Sequence, residues 1–585
     1  MSKMDTRRDF NGEARLLRIA CMAAVIGVLS TCTAWLLLHA ISFFTNLFFF
    51  QALSDKPVSP ALNTLGAWVI AVPVLGGLII GLIARYGTEA IRGHGIPEAI
   101  EAILFKKSAM SPKVAVLKPL ASAIAIGSGG PFGAEGPIIM TGGAVGSLLA
   151  QHFHLSGSER KTLLVAGAVA GMTAVFGTPV AALLLAVELL LFELRPRSLL
   201  PVAVACAVAG VLRPLIMEGG ALFPLQTMPL QPLGLASCAL AGLLCGMLAW
   251  LMSTMLYKVE DLFHKLPLHW MWWPAIGGLA VGVGGYFQPR ALGVGYDVIA
   301  DLLHNHIGAG VLAGLLLAKM VMWLIALGSG TSGGVLAPLL MLGAGLGALM
   351  APYLPGGEPA VWPLVFMAAT LGGMMRAPIM AVVFAFELTQ DTNALLPVLA
   401  ASVVAYGFTV LTMQRSILTE KIARRGYHIY REYGIDPLER HSVAEVMTAQ
   451  PVRIDAGAAI DAVLHSHFGE GQVHRAFPVT RDGTLVGMLD RAALVAAEGK
   501  CFVGDLYGVN VPVFALAGET CRTVATRMAV HQLERLPVVD DGQSRKLVGL
   551  VSRSDLIKAS LTLHEEEHQR QAFRRIRIGS NRQPM

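Results

Sequence analysis

AIGSGGPFGAEGPIIMTGGAVGSLLA (Ala125–Ala150) and ALGSGTSGGVLAPLLMLGAGLGALMA (Ala326–Ala351) lie over one another without a gap, about 200 residues apart. Gly127, Ser128, Gly129, Gly133, Pro137, Met140, Gly142 and Gly146 meet identical residues in the second copy. Upstream, GHGIP (Gly93–Pro97) lies over GVGYD (Gly293–Asp297). Downstream, FGTPVAALLLAVEL (Phe176–Leu189) lies over MRAPIMAVVFAFEL (Met375–Leu388), which sets Glu188 over Glu387. Gly-rich apolar segments can look alike by chance, but three blocks in one order at a nearly constant offset do not. The chain holds one unit twice.

The clusters Gly127–Gly136 and Gly328–Gly334 interrupt apolar runs, and each is followed by Pro and a fresh helical stretch. Glycine permits close backbone approach, and proline is favoured in the first turn of a helix. Broken helices at membrane depth survive only where they are buried or line a polar cavity. Their N-termini present unpaired N–H groups and the positive end of the dipole, so they can hold an anion without a full cationic charge. Two such halves predict a transporter whose site lies near the bilayer midplane between them.

Composition agrees. Of 585 residues 54% are hydrophobic and 14% charged, mean hydropathy is +0.61, and a soluble chain carries about 25% charged residues. Apolar stretches long enough to span a bilayer recur from Leu16 to Met413, among them Leu65–Ala84 and Leu235–Leu256. Leu16–Ala40 is too long for the core of a cleaved signal peptide. Arg7, Arg8, Arg15 and Arg18 at its head favour a cytosolic N-terminus. The seven cysteines are scattered, with neither a disulfide framework nor metal-ligand spacing. The net charge of +6 is not interleaved with aromatics, which argues against a nucleic-acid partner. GSGGPFG (Gly127–Gly133) lies in no Rossmann unit and lacks a GK[ST] sequel, so it is no nucleotide loop.

GHGIP, GAEGP (Gly133–Pro137) and GVLAP (Gly334–Pro338) resemble the GSGIP, GREGP and GxFxP patterns of the CLC family of chloride channels and chloride/proton antiporters. The resemblance covers essentially Leu16–Gly426. It implies an all-α polytopic membrane domain, an inverted-repeat fold of tilted and broken helices, with repeats of roughly 16–216 and 234–426. It also implies a homodimer in the bilayer with one anion pathway per subunit, chloride or a related anion as substrate, and residence in a bacterial inner membrane with both termini cytosolic. By the same resemblance Glu135 is the gate, its carboxylate mimicking the anion at a helix N-terminus until protonation or displacement releases it. The anion-binding set carried over is Gly93, His94, Gly95, Ile96, Gly133, Ala134, Gly136, Gly334, Val335, Leu336 and Leu418.

Three positions depart from the family. His94 stands for a serine, Leu336 for a phenylalanine, and Leu418 for the inner-gate tyrosine. His94 is either a donor to the anion, able to act as a pH switch, or a side chain turned toward a carbonyl. For protons, the alignment puts Glu188 at the first glutamate of the family's EE pair and Leu189 at the second. Glu193 offers a carboxylate about one turn on if the helix extends. Glu188 otherwise reads as a buried structural carboxylate, like Glu387. The expectation is therefore a passive chloride channel, voltage- or pH-gated, with chloride/proton antiport as the alternative.

Past residue 414 the chain turns polar. An N-terminal segment (1–15), the membrane domain (16–426), a linker (427–442), a pair of modules (443–560) and a charged tail (561–585) are the expected divisions. VMTAQPVRI with FPVTRDGTLVGMLDRAAL, and later RLPVVDDGQSRKLVGLVSRSDLI, resemble a tandem pair of small α/β CBS modules. By that resemblance Ser552 and Asp555 are the candidates for contacting an adenine nucleotide, while Asp490 and Ala493 break the pattern in the first module. No cofactor is required. HEEEH (His564–His568) matches a zinc-protease pattern, which would make a CBS-regulated intramembrane metalloprotease, but it sits in the charged tail without a third ligand.

Overall fold

The computed structural model describes residues 15–217, 219–427, 429, 436–469, 472, 474–497, 500–508 and 512–558. They fall into two compact units, one within Phe10–Arg431 and one within Glu432–Met585. Arg7 and Arg8, the HEEEH stretch, the tail 561–585 and much of the 427–442 linker lie outside the described residues.

The first unit is helical throughout. Its first half runs α1 (Arg15–Phe50), α2 (Ala71–Tyr86), α3 (Ile96–Phe105), α4 (Pro112–Gly127), α5 (Glu135–Gln151), α6 (Gly157–Phe176), α7 (Pro179–Leu185) and α8 (Pro196–Ile216). The second half repeats the order as α9 (Pro232–His264), α10 (Trp273–Phe287), α11 (Tyr296–Leu303), α12 (Ala309–Gly328), α13 (Leu336–Met350), α14 (Val361–Met375), α15 (Pro378–Thr389) and α16 (Leu395–Thr412), with α17 (Ile417–Arg424) following. Long helices open both halves, 36 and 33 residues. Seven helices among the described residues are long and apolar enough to cross a membrane. Their outward side chains include Leu36, Leu240 and Leu317 at 61, 50 and 59% exposure, an arrangement that lipid tolerates and water would not.

Short helices and their breaks are written in the local sequence. Proline occupies the first turn of α3, α7 and α15, where its missing N–H costs nothing. Gly177 ends α6 in the left-handed region (φ 72°) and Arg376, its counterpart, ends α14 the same way (φ 54°). Arg376 compensates for a conformation that glycine takes more easily by donating to Thr409 O at 2.9 Å.

The second unit contains α18 (Pro437–Arg440), α19 (Val443–Val446), α20 (Ile460–His467), α21 (Arg491–Val495) and α22 (Cys521–Val530). Its strands are β1 (Thr448–Ala449), β2 (Ile454–Asp455), β3 (Ala476–Arg481), β4 (Thr484–Asp490), β5 (Ala515–Leu516), β6 (Arg535–Val539) and β7 (Leu547–Ser552). They form two sheets, β2-β3-β4 and β1-β7-β6-β5. The two modules exchange their leading segments. Val443 packs in the core of β6 and β7, and β1 pairs antiparallel with β7. Val503, which opens the second motif, packs in the core of β3 and β4.

Candidate functional site

The two Gly-rich loops meet at the centre of the first unit. Gly133 and Gly334 pair as an antiparallel bridge, Gly133 N–H donating to Gly334 O at 3.3 Å and Gly334 N–H to Gly133 O at 2.9 Å. The counterpart loops are pinned crosswise. Gly93 N–H donates to Gly330 O at 3.3 Å, and Gly293 N–H to Gly129 O at 3.0 Å. Each half thus holds the other's broken segment.

Glu135 is the first residue of α5 and fully buried. Its Oε1 accepts the N–H of Ala337 at 2.7 Å, in the first turn of α13. Its Oε2 has no hydrogen-bond partner among the described residues. A carboxylate at the positive end of a helix from the other half is favourably placed, and burial elsewhere without such donors would be costly. A Cβ on Gly133 or Gly334 would collide with this carboxylate. Ala134 and Val335 are the buried residues just before the two helices, and Leu336 opens α13 with its side chain fully buried. Ala337 escaped the sequence reading; its overlay on Gly136 was the available signal.

On the other side, Gly95 (φ 90°) precedes α3, where Ile96 is fully buried, and donates its N–H to Glu98 Oε2 at 3.1 Å. His94 is 3% exposed and neither ring nitrogen has a hydrogen-bond partner among the described residues. The alternative in which its ring satisfies a carbonyl is therefore not the one adopted. Its own carbonyl leans on Gly136 so closely that a Cβ there would collide with it. Two buried lysines at matching positions brace the loops. Lys118 Nζ donates to Ile91 O and Gly93 O, both at 2.8 Å. Lys319 Nζ donates to Ala291 O at 3.1 Å and Gly293 O at 2.7 Å.

His94 lines a cavity of about 850 Å³, together with Arg92, Tyr257, Glu260, Lys421 and Arg425. Glu98 pairs there with Lys421 at 3.1 Å and Arg425 at 3.0 Å. Leu418 is buried in α17 and does not line the cavity. Its neighbour Ile417 accepts a hydrogen bond from the hydroxyl of Tyr257, which does line it. Tyr257 was not singled out from sequence, because α9 contributes it far from any motif.

Glu188 and Glu387 cap each other's half. Glu188 Oε2 accepts Met380 N–H at 3.2 Å at the start of α15. Glu387 accepts Val180 and Ala181 N–H at 3.0 and 2.8 Å at the start of α7. Helix α7 does not extend to Glu193: a π-helical turn, Ala186–Leu191, ends at Phe192 in the left-handed region (φ 53°). Glu193 therefore lies past the break, accepting from Ser198 Oγ at 2.6 Å, with Lys161 Nζ at 4.0 Å and its side chain 20% exposed. Leu189 is buried.

In the second unit Ser552 and Asp555 bond one another as a helix cap, Ser552 N–H and Oγ donating to Asp555 Oδ2 at 2.9 and 2.6 Å. Lys558 Nζ donates to Asp555 Oδ1 at 2.7 Å. Burial acts to raise the Asp555 pKa, but Lys558 and Ser552 more than offset it and hold the carboxyl below the ordinary aspartate range. In the first module Asp490 accepts Ala493 N–H at 2.8 Å, the same capping place. Among the described residues no three His, Cys, Asp or Glu side chains gather as a metal site.

Comparison with known proteins places this arrangement. Residues 76–410 match the family described as voltage gated chloride channel. Residues 443–500 and 503–562 match the CBS domain. The voltage-gated ClC-type chloride channel ClcB of Escherichia coli O81 is 30% identical over 401 residues, which cover 67% of this chain and 95% of that protein. A slow cyanobacterial Cl⁻/H⁺ antiporter superimposes with a TM-score of 0.62 at 23% identity, covering 71% of this chain and 99% of that one. A eukaryotic CLC transporter superimposes with a TM-score of 0.58 at 19% identity, covering 92% and 98%. At those identities the two structures speak for the fold, a CLC fold of many apolar helices followed by CBS modules. The matched segment and the ClcB identity together make this chain a multi-pass membrane protein of the CLC voltage-gated chloride channel family, carrying a C-terminal CBS pair.

Proposed function

We propose that this protein carries chloride or a related anion across a bilayer through a pathway gated by Glu135, and that it does so passively. One observation carries the reading: the Glu135 carboxylate occupies the N-terminus of α13 through Ala337, a place an anion would take when the carboxylate leaves. The anion then passes between Glu135 and His94, held by first-turn backbone N–H groups at the starts of α3, α5 and α13. His94, with two unpartnered ring nitrogens, is the side-chain donor in place of the family's serine. Passive conduction is favoured because Glu188 is occupied as a helix cap and Leu189 cannot take a proton.

Exchange for protons is the second reading, favoured by Glu193, whose partly exposed carboxylate can exchange with water. Chloride efflux from proteoliposomes, with the potential clamped by valinomycin and external pH recorded, decides between them. Chloride flux without proton movement is the expected result. Proton movement opposed to chloride establishes exchange, and absence of any anion flux overturns both readings.

The proposed setting is a bacterial inner membrane with both termini in the cytosol. A second copy of the chain is the proposed partner, meeting along α7, α8, α15 and α16, where Val180, Leu215, Ile379 and Leu396 stand exposed. The CBS pair is proposed as a cytosolic regulator. Ser552 and Asp555 contact an adenine nucleotide there only if it displaces Lys558 from Asp555, which nucleotide titration of wild type against Asp555→Asn tests.

A further inference from the structure

Glu135 Oε2 and the hydroxyl of Tyr296 are both buried without a hydrogen bond among the described residues. Tyr296 is the first residue of α11, in GVGYD, the counterpart of GHGIP. The backbone brings it to the Glu135 side, since Gly293 is bonded to Gly129 in the loop that leads into Glu135. Phe176 and Phe223 hold its ring edge-on, each with centroids 6.2 Å away and interplanar angles of 76° and 63°. The charge of Glu135 acts on this phenol. A phenolic O–H is a good donor to a carboxylate, and leaving both buried groups unmet is unfavourable.

The charged groups on the elements packed around this end are engaged elsewhere. Lys319 on α12 donates to the carbonyls of Ala291 and Gly293. Asp297 accepts from Ser59 Oγ at 2.8 Å. On the α3 side Glu98 is paired with Lys421 and Arg425, and Lys118 with backbone carbonyls. His94 lines the cavity with Glu98 and Lys421. The phenol is the donor held in reserve.

We propose that Tyr296 is a positioning residue for the gate: when an anion takes the place of the Glu135 carboxylate at Ala337, the Tyr296 hydroxyl donates to that carboxylate and holds it aside while still ionised. The inference rests on the reading of Glu135 as the gate. It separates two routes of opening. Protonation opens the gate in acid, and Tyr296 supports opening where the carboxyl stays charged.

Tyr296→Phe deletes the hydroxyl and leaves the ring between Phe176 and Phe223. Chloride flux through the full-length protein in proteoliposomes is measured at about pH 8 and about pH 4, either side of the range where buried carboxyls titrate. Wild type, Tyr296→Phe, Glu135→Gln and the double variant are compared. The expected result is an about tenfold loss for Tyr296→Phe at the higher pH, the size of a hydrogen bond to a charged group, and about no loss at the lower pH. In the Glu135→Gln background Tyr296→Phe has no effect. An equal loss at both pH values, a loss that persists beside Glu135→Gln, or no loss at all overturns the proposal. If Glu135→Gln alone leaves flux as pH-dependent as wild type, the gate reading falls and this inference with it. If Glu135→Gln abolishes the pH dependence while Tyr296→Phe behaves as wild type, only the Tyr296 inference falls.

Discussion

Glu135 Oε1 accepts the backbone N–H of Ala337 at 2.7 Å, joining the start of α5 in one repeat to the start of α13 in the other. The carboxylate so held is fully buried, and among the described residues its other oxygen has no hydrogen bond.

Ala337→Pro tests that bond from the donor's side. Proline is tolerated in the first turn of a helix, so α13 should persist while the N–H is lost. A hydrogen bond to a charged group is worth about 1.5–3 kcal/mol, so the gate should open more readily and chloride flux at neutral pH should rise about tenfold. Unchanged flux with unchanged melting would show that other donors hold the carboxylate.

Gly136→Ala should be damaging although its repeat counterpart is an alanine. A Cβ at 136 meets the His94 carbonyl, backbone that cannot yield without moving the 93–96 loop. Overpacking of this kind costs about 1–3 kcal/mol. The melting temperature in detergent should fall and flux should be lost together. A variant with wild-type flux would mean that the loop shifts freely.

Glu188→Gln and Glu387→Gln should behave alike, because each carboxylate caps a helix of the opposite half. Glutamine keeps one acceptor oxygen but loses the charge that favours a helix N-terminus, worth about 0.3–1 kcal/mol. Both variants should melt earlier in detergent and keep chloride flux. A selective loss of proton movement in Glu188→Gln alone would assign it to a proton route instead.

In the CBS pair, Val503→Ala should loosen the first module, not the second to whose motif it belongs. Its side chain lies in the core of β3 and β4, and truncating a buried branched side chain costs about 1–3 kcal/mol. Hydrogen exchange should quicken in Ala476–Asp490 more than in Arg535–Ser552. The reverse order would contradict the exchange of leading segments.

The repeat itself and the glycine breaks were legible because each is a local signal at a fixed offset. The partner of Glu135 was not. Laying Ala326–Ala351 over Ala125–Ala150 shows which residues correspond, and says nothing of which residues touch. Glu188 and Glu387 were matched from sequence as counterparts, yet each finds its partner in the opposite half's backbone. The π-helical turn at Ala186–Leu191 carries no Gly or Pro to announce it, so whether the helix extends to Glu193 was open from sequence. Likewise β1 is two residues long, and only its register against Leu550 and Gly549 reveals that it serves the second sheet.

Chloride flux in proteoliposomes as a function of pH, for wild type and Glu135→Gln side by side, decides whether the Glu135 carboxylate is the gate. A carboxylate that closes the path when charged and opens it when protonated predicts wild-type flux rising as pH falls, and Glu135→Gln flux that is high and flat with pH. Flux in Glu135→Gln that is abolished, or that keeps the wild-type pH dependence, would contradict it.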